Sequence, residues 1–378
     1  MKFMHISDLH LGKRVNEFSM LEDQKDILRK ILKIADEEKP QALLIAGDVY
    51  DKSIPTVEAI QLFDDFLCEL SKRKVQTFII SGNHDSAERM AFGGRLMKES
   101  GVYVAPVYAG KTQAVVLEDE WGPINVYLLP FVKPANVKRF FEDEQIENYT
   151  DAIRVAVEQM KLNTDERNVL VTHQFVTGAK RSESEDISVG GTDNVDASVF
   201  DEFDYVALGH IHGPQKIVRE TVRYCGTPLK YSFSEIHHKK SVTIVEMKEK
   251  GNVEICTKEL LPLRDWCEMK GSYMELTEKA YYKNFDQESY MHITLTDEED
   301  IPEAVRKLQV IYPNVMKLDY DNQRTRGKAA FLETAEVEEK TPFDIFEELY
   351  KKQNNQEMNE EQKKLIHDLV EKIWEGGH

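Results

Sequence analysis

Short apolar runs punctuate the first two-thirds of the chain, and five of them stop abruptly at a polar residue or a glycine. They cover Lys2–Ile6, Ala42–Ala46 and residues 77–81, 168–172 and 204–208. Continuous apolar runs of this length, closed by turn residues, predict buried strands. Between them the period lengthens. Leu21, Ile27, Leu28, Ile31, Leu32 and Ala35 recur at helical spacing before Pro40, which predicts a helix over Leu21–Glu38. Val57, Ile60, Phe63, Phe66, Leu67 and Leu70 predict a second amphipathic helix. Residues 114–117, 125–129 and Ser241–Met247 read as further strands. Strands alternating with helices place residues 1–258 in the α/β class.

The last third has a different texture. Residues 262–335 read as a small second α/β domain: a strand at 290–296, a helix opened by Ile301-Pro302 and running through Val310, and a strand at 314–320. Residues 333–340 (ETAEVEEK) form a charged linker. Two amphipathic helices follow within 341–378. Thr341-Pro342 starts the first, which carries Phe343, Phe346, Leu349 and Tyr350. The second carries Leu365, Ile366, Leu369, Val370, Ile373 and Trp374, and Gly376-Gly377 ends it. Such faces fold back onto the body or dock elsewhere. Residues 178–197, rich in Ser, Gly, Asp and Glu, read as a long loop. It is either a loop that closes over substrate or meets a partner, or a surface loop without a role.

At 378 residues the chain is long enough for two or three domains. No apolar run reaches the length of a membrane span. The N-terminus runs straight into a strand without a signal-peptide pattern. The four cysteines lack zinc-site spacing and read as free thiols, so a reducing cytoplasm is the expected setting. The net charge of −19 argues against a nucleic-acid-binding surface, which normally relies on basic residues. Three things offset it: bound metal ions, local basic residues (Lys13-Arg14, Lys180-Arg181, Lys216 with Arg219), or a partner protein that grips the nucleic acid.

The polar residues that close the five runs carry the chemistry. They are Asp8, His10, Asp48, Asn83, His173, His210 and His212. In open α/β sheets, sites form just beyond the carboxyl ends of strands. Seven candidate ligands are too many for one tetrahedral ion and suit two ions about 3.5–4 Å apart. Asp48, at a tight Gly turn, is the expected bridge. Imidazole, carboxylate and amide donors together favour Mn²⁺, Fe²⁺ or Zn²⁺ over Ca²⁺. Asp51 and Asp85 read as acceptors that orient histidine rings, or as caps of the following helix. Five of the 11 histidines, namely His10, His84, His173, His210 and His212, fall at these strand ends, which makes chance placement a poor account. His5 reads as a satisfied strand histidine, and His237-His238 beside Lys239-Lys240 as a solvated turn.

The ordered set Asp-x-His, Gly-Asp-x-x-Asp, Gly-Asn-His-Asp, His and Gly-His-x-His resembles the calcineurin-like metallophosphoesterase superfamily. Ser7-Asp8-Leu9-His10-Leu11-Gly12, Ala46-Gly47-Asp48-Val49-Tyr50-Asp51, Ser81-Gly82-Asn83-His84-Asp85-Ser86, Ala207-Leu208-Gly209-His210-Ile211-His212 and Arg223-Tyr224-Cys225-Gly226-Thr227-Pro228 are similar to one branch of it. That branch supplies the nuclease subunits of bacterial complexes with an SbcC-type ATPase. The likeness is strong over residues 1 to about 240 and is one of layout beyond. It implies a two-sheet αββα sandwich with a small α/β capping domain and a C-terminal helical segment. It also implies two divalent ions, Mn²⁺ foremost, with His84 doing acid–base work beside the ligand Asn83. The implied activity is phosphodiester hydrolysis at DNA ends or hairpins, by exonuclease and endonuclease action. The cap at 262–335 would help select DNA ends, and 341–378 would grip the ATPase. A homodimer within a heterotetramer is implied too, with 57–70 or the first helix as candidate interface. Two readings stay open: a phosphomonoesterase or nucleotide phosphodiesterase on the same fold, and a non-enzymatic scaffold, against which the intact ligand set argues.

Overall fold

Alternation along each strand decides how the layers stack. The computed structural model describes residues 1–185, 193–323, 325–326, 343, 346–347, 350, 358–360, 362–366 and 369. One six-stranded sheet runs Val253–Glu259, Ser241–Met247, Lys2–Ile6, Ala42–Ala46, Gln76–Ile80, Val102–Ala105 in spatial order. The other runs Gln215–Ile217, Arg219–Tyr224, Tyr205–Gly209, Arg167–His173, Gly122–Leu129, Val115–Asp119. The centre of each sheet is parallel, so its strands release their carboxyl ends on the same side.

Phe3, Leu44, Phe78 and Ile80 of the first sheet meet Ile124, Val126, Val169, Val171 and Ala207 of the second in one core. Their neighbours point the other way, as the period of two demands. Met4, Leu43, Ile45 and Ile79 pack with Ile27, Leu28, Ile31, Phe63 and Leu70 of the helices Leu21–Glu38 and Val57–Lys72. Leu170, Val206 and Leu208 pack with Ala152, Ile153 and Ala156 of the helix Tyr149–Glu158. Both sheet faces are covered, which is why these strands are apolar throughout rather than alternating with polar residues. The result is the expected αββα order of layers.

The two predicted long helices form. The first ends at Lys39, whose φ of 51° breaks the helix before Pro40. The second is capped by Thr56, whose hydroxyl accepts the Ala59 N–H at 3.3 Å. The helix expected from Ile301-Pro302 begins later, at Ala304, because Glu303 adopts a φ of 55° and turns the chain there. The hairpin Arg14–Val15/Phe18–Ser19 was not legible, being too short to show a period.

The described chain forms two compact units. The first comprises Met1–Lys270, Met274–Thr294 and Glu303–Asp319 and holds both large sheets. In it, Asp23 on the first helix accepts from the Tyr290 hydroxyl at 2.7 Å and pairs with Arg264 at 2.9 Å. A three-stranded sheet orders Trp266–Gly271, Tyr290–Leu295 and Val315–Tyr320. The second unit comprises Gly271–Tyr273, Leu295–Pro302 and Tyr320–His378. Within it the Asp297 side chain accepts the Tyr273 N–H at 2.7 Å, and Lys363 pairs with Glu347 at 2.7 Å. Residues 333–340, Thr341, Pro342, Leu349, Val370, Ile373, Trp374, Gly376 and Gly377 lie outside the described residues, as do 186–192 of the long loop. Among the described residues no helix is long and apolar enough to cross a membrane. All four cysteines are free.

Arg167 is a buried charge that joins the edges of both sheets. Its guanidinium meets Asp119 Oδ2 at 3.1 Å and donates to the Lys248 carbonyl at 2.8 Å. Burial opposes ionisation of Asp119, but Arg167 and the Met1 ammonium outweigh it and hold the carboxyl well below its usual range. Breaking a buried pair from one side leaves the other charge uncompensated. Arg167→Met is therefore expected to destabilise the fold by about 3–5 kcal/mol, read from urea unfolding. Unchanged unfolding would mean that this pair does not join the sheets energetically.

Candidate metal centre

At the carboxyl edge of the two sheets the chain turns sharply. Asp8, His10, Asp48 and His210 all have positive φ, at 52°, 44°, 50° and 101°. For residues with a Cβ this costs roughly 1–3 kcal/mol each. Hydrogen bonds between the loops hold the conformation. Asp8 N–H donates to the Gly47 carbonyl and His10 N–H to the Asp48 carbonyl, both at 3.0 Å. The His210 N–H donates to the Asp8 carboxylate at 3.0 and 3.2 Å, and the His84 N–H to Asp48 Oδ1 at 2.9 Å. Glycine is obligatory at three of these turns, Gly47, Gly82 and Gly209. A Cβ on Gly47 would lie 2.5 Å from the His173 ring, and one on Gly82 would lie 2.0 Å from Asp48 Oδ1.

These turns bring all seven candidate ligands together. His10 Nε2 faces His212 Nε2 at 3.2 Å, with Asp8 in the same group. Asn83 Oδ1 lies 2.9 Å from His173 Nε2 and 3.0 Å from His210 Nδ1. Asp48 Oδ2 stands between the two groups, 3.3 Å from His173 Nε2 and 3.8 Å from His10 Nε2. Asp8 also belongs to both, since it groups with Asp48 and His173 as well as with His10 and His212. Six of the seven are buried, and Asn83 is half-buried.

Hydrogen bonding behind the rings shows that divalent cations fit. His173 Nδ1 donates to the Ala46 carbonyl at 2.8 Å, so its Nε2 is the atom turned towards Asn83 and Asp48. A nitrogen flanked by two oxygens needs a positive charge, from a proton or from a metal. His10 and His212 likewise aim ring nitrogens at each other. Burial pushes the Asp8 carboxyl up to about 6, and the Asp48 charge adds to it. Burial lowers His10 well below its ordinary value and His210 to about 3, leaving both neutral donors. For His173, burial opposes protonation, but Asp48 and Asp8 outweigh it and lift the ring to about 9. Asp48 is held below its usual range because His173, more than offsetting burial, favours the carboxylate.

His84 stands beside this cluster. Its Nδ1 donates to the Asp51 carbonyl at 3.2 Å, its Nε2 lies 3.9 Å from Asp48 Oδ2, and its ring meets His10 edge-on. The Asp51 carboxylate pairs with Lys13 at 2.7 Å and lies 3.7 Å from His10 Nδ1. Asp85 has a different task from the one expected. Its carboxylate accepts the backbone N–H groups of Val49, Tyr50 and Gly82, at 2.9–3.1 Å, and so clamps two turns together. The cap of the following helix is Ser86, whose hydroxyl accepts the Arg89 N–H.

Other supporting residues were missed or misread. Gln24 donates to the His10 carbonyl at 2.7 Å, and the Tyr231 hydroxyl to the Leu9 carbonyl at 2.6 Å. Gln24 sits in the polar part of a helical stripe, so only the burial of that turn reveals it. His237, read with His238 as a solvated turn, is indeed exposed, but the chain beyond it buries Lys240, which the sequence did not suggest. Lys240 is 4% exposed and donates to the His212 carbonyl at 2.9 Å and to Thr227 Oγ1 at 2.6 Å, while also pairing with Glu235. His5 is only half satisfied, bonded to the Tyr205 hydroxyl through Nδ1 with Nε2 unpartnered, and burial lowers it to about 3. Of the six basic residues suggested for nucleic acid, Lys13 pairs with Asp51, Arg181 with Asp193 and Lys216 with Glu220, and Arg219 donates to the Phe200 and Phe203 carbonyls.

Residues 1–214 match the family model described as calcineurin-like phosphoesterase. Residues 260–354 match one described as type 5 capsule protein repressor C-terminal domain. A Staphylococcus epidermidis protein named as the SbcD subunit of nuclease SbcCD is 32% identical over 380 residues, covering 98% of each chain. Among solved structures, a dimetal phosphatase from Danio rerio aligns at 14% identity over 69% of this chain and 99% of its own, with a TM-score of 0.39. A structure titled as a novel archaeal phosphodiesterase aligns at 11% identity over 68% and 100%, with a TM-score of 0.30.

Because metal ligands must be deprotonated, loading the centre competes with the proton on His173 and, at lower pH, with the one on Asp8. Mn²⁺ binding at pH 7 is expected to release about one proton per protein. Apparent affinity should fall as pH drops from 9 towards 6. Calorimetric titration in two buffers of different ionisation enthalpy counts the protons, and a count of zero would contradict the pairing of His173 with Asp48.

Proposed function

This chain belongs to the calcineurin-like phosphoesterase family, and we propose that it is a metal-dependent DNA nuclease working with an SbcC-type ATPase in DNA repair and recombination. The carrying observation is the convergence of seven metal-ligand side chains in a chain that aligns over 98% of its length with a protein named as a nuclease subunit. The reaction is hydrolysis of phosphodiester bonds at DNA ends or hairpins, by exonuclease and endonuclease action.

Asp8, His10 and His212 would hold one divalent ion, and Asn83, His173 and His210 the other, with Asp48 between them. Mn²⁺ is our choice for this mix of imidazole, carboxylate and amide donors. When bound, such ions supply Lewis acidity for phosphoryl transfer to water. The protein positions and excludes water around the reacting groups through its buried ligand turns. His84 is the histidine of the cluster that opens most to solvent, at 24% side-chain exposure. With Nδ1 fixed on the Asp51 carbonyl, a protonated Nε2 can deliver its proton to the departing oxygen.

The charge of −19 and the internal partners of Lys13, Arg181, Lys216 and Arg219 support a division of labour. The ATPase would supply most of the grip on DNA. Residues 341–378 would bind it, and the exposed Phe346, Leu365 and Leu369 support an apolar docking face there. Residues 262–335 would act as a cap that helps select DNA ends. The working assembly would be a homodimer within a cytoplasmic heterotetramer.

Nuclease assays on linear duplex and hairpin DNA, with Mn²⁺, Mg²⁺ or chelator and with or without the ATPase, test the reading. No metal-dependent cleavage under any of these conditions would refute it. In the same assay His84→Gln should retain both ions but lose about 10²–10⁴ in turnover. Loss of an ion instead would make His84 a ligand.

The double substitution Leu365→Glu/Leu369→Glu, in the full chain, should abolish capture of the ATPase in pull-down. It should leave Mn²⁺-dependent hydrolysis of a small phosphodiester intact. Capture at parental level would remove this helix from the interface.

A further inference from the structure

The segment 180–185 belongs to the long loop that the ligand set did not absorb, yet it touches one metal ligand twice. The Ser184 hydroxyl lies 2.7 Å from His212 Nδ1 and donates onward to Glu235 Oε1. The neighbouring residue, Glu185, accepts the His212 backbone N–H at 2.6 Å. Glu185 is itself fixed, accepting the Ser182 N–H at 2.6 Å and the Ser182 hydroxyl at 3.1 Å. Glu235 is fully buried and paired with Lys240.

The hydrogen-bond directions follow from this. Glu235 is acceptor only, so the Ser184 proton points to it. The Ser184 oxygen then accepts from His212, which places the imidazole proton on Nδ1. That leaves the Nε2 lone pair aimed at His10 Nε2, 3.2 Å away. Without the hydroxyl, His212 Nδ1 would face Glu235 Oε1 across 3.5 Å, too long for a good hydrogen bond. None of these contacts reaches Asn83, His173 or His210, whose ring orientation rests on the Ala46 carbonyl and on Asn83 itself.

We propose that Ser184 and Glu235, with Glu185 holding the main chain, are positioning residues that fix the tautomer and orientation of His212 and so set the affinity of only one of the two metal positions. The loop thereby couples its own placement to occupancy of the Asp8, His10, His212 position. The inference rests on the two-metal reading of the centre. Partners of this kind behind a ligating histidine are worth about 10–100-fold in metal affinity.

The test is calorimetric titration of metal-free full-length protein with Mn²⁺, beside electron paramagnetic resonance of the loaded samples. Parent protein should bind two ions and show a spin-coupled pair. Ser184→Ala and Glu235→Gln should each weaken one binding step about 10–100-fold and leave the other unchanged, giving a mononuclear Mn²⁺ spectrum at intermediate loading. Ser184→Thr, which keeps the hydroxyl, should restore the pair. Two unchanged steps, or equal weakening of both, would overturn the inference, the second result indicating a general structural role. Melting of the metal-free variants identifies any that unfold; Ser184→Thr binding like Ser184→Ala would also overturn it. A parent that binds fewer than two ions would instead defeat the two-metal reading.

Discussion

Lone pairs from seven side chains converge in a space almost closed to water, and that convergence is what the surrounding structure serves. Nitrogen and oxygen donors brought this close repel one another unless positive charge lies among them. The protein meets the requirement in part by itself, through the proton shared in the field of Asp48 and His173. The surroundings keep the donors aimed inward against that repulsion: the strained backbone at Asp8, His10, Asp48 and His210, the bare glycines against His173 and Asp48, the Ala46 carbonyl behind His173 and the Ser184 hydroxyl behind His212.

The same contacts make the centre a structural joint. The Asp8 carboxylate, from the first sheet, accepts the His210 amide of the second. His173, from the second sheet, is anchored on the Ala46 carbonyl of the first. The two sheets are therefore joined by the apolar core between them, by the Arg167 contacts, and by polar bonds at the centre. Ligand geometry depends on how the layers stack, so substitutions in the inter-sheet core act on the chemistry without touching it.

Much of this was legible in the sequence, for one physical reason. A strand buried on both faces is apolar throughout, so the first polar residue after it marks where the chain leaves the sheet. That rule located Asp8, Asp48, Asn83, His173 and His210 directly, and the helices showed themselves by period. What stayed hidden was whatever depends on which segments meet. Ser184 and Glu185 sit in a stretch whose composition is that of any surface loop. Glu235 and Lys240 neutralise each other only once buried, and in sequence they are two ordinary charged residues five positions apart. Asp85 carries the right chemistry to orient a histidine, but the nearest unsatisfied groups proved to be backbone amides. Lys13, Arg181, Lys216 and Arg219 looked available for a polyanion until their acidic neighbours and carbonyl partners were in place.

The candidate ligands divide between the two sheets, with residues 8, 10, 48 and 83 on one and 173, 210 and 212 on the other. Neither half offers a complete set for either position, since His10 waits for His212 and Asn83 for His173. A chain emerging from the ribosome folds its early part first, yet it owns no assembled centre until its second sheet has been made and docked. The hydrolytic machinery is thus created late, when the two sheets meet. If the proposed function holds, a half-made or misassembled copy would lack the assembled centre and with it the capacity to cut DNA.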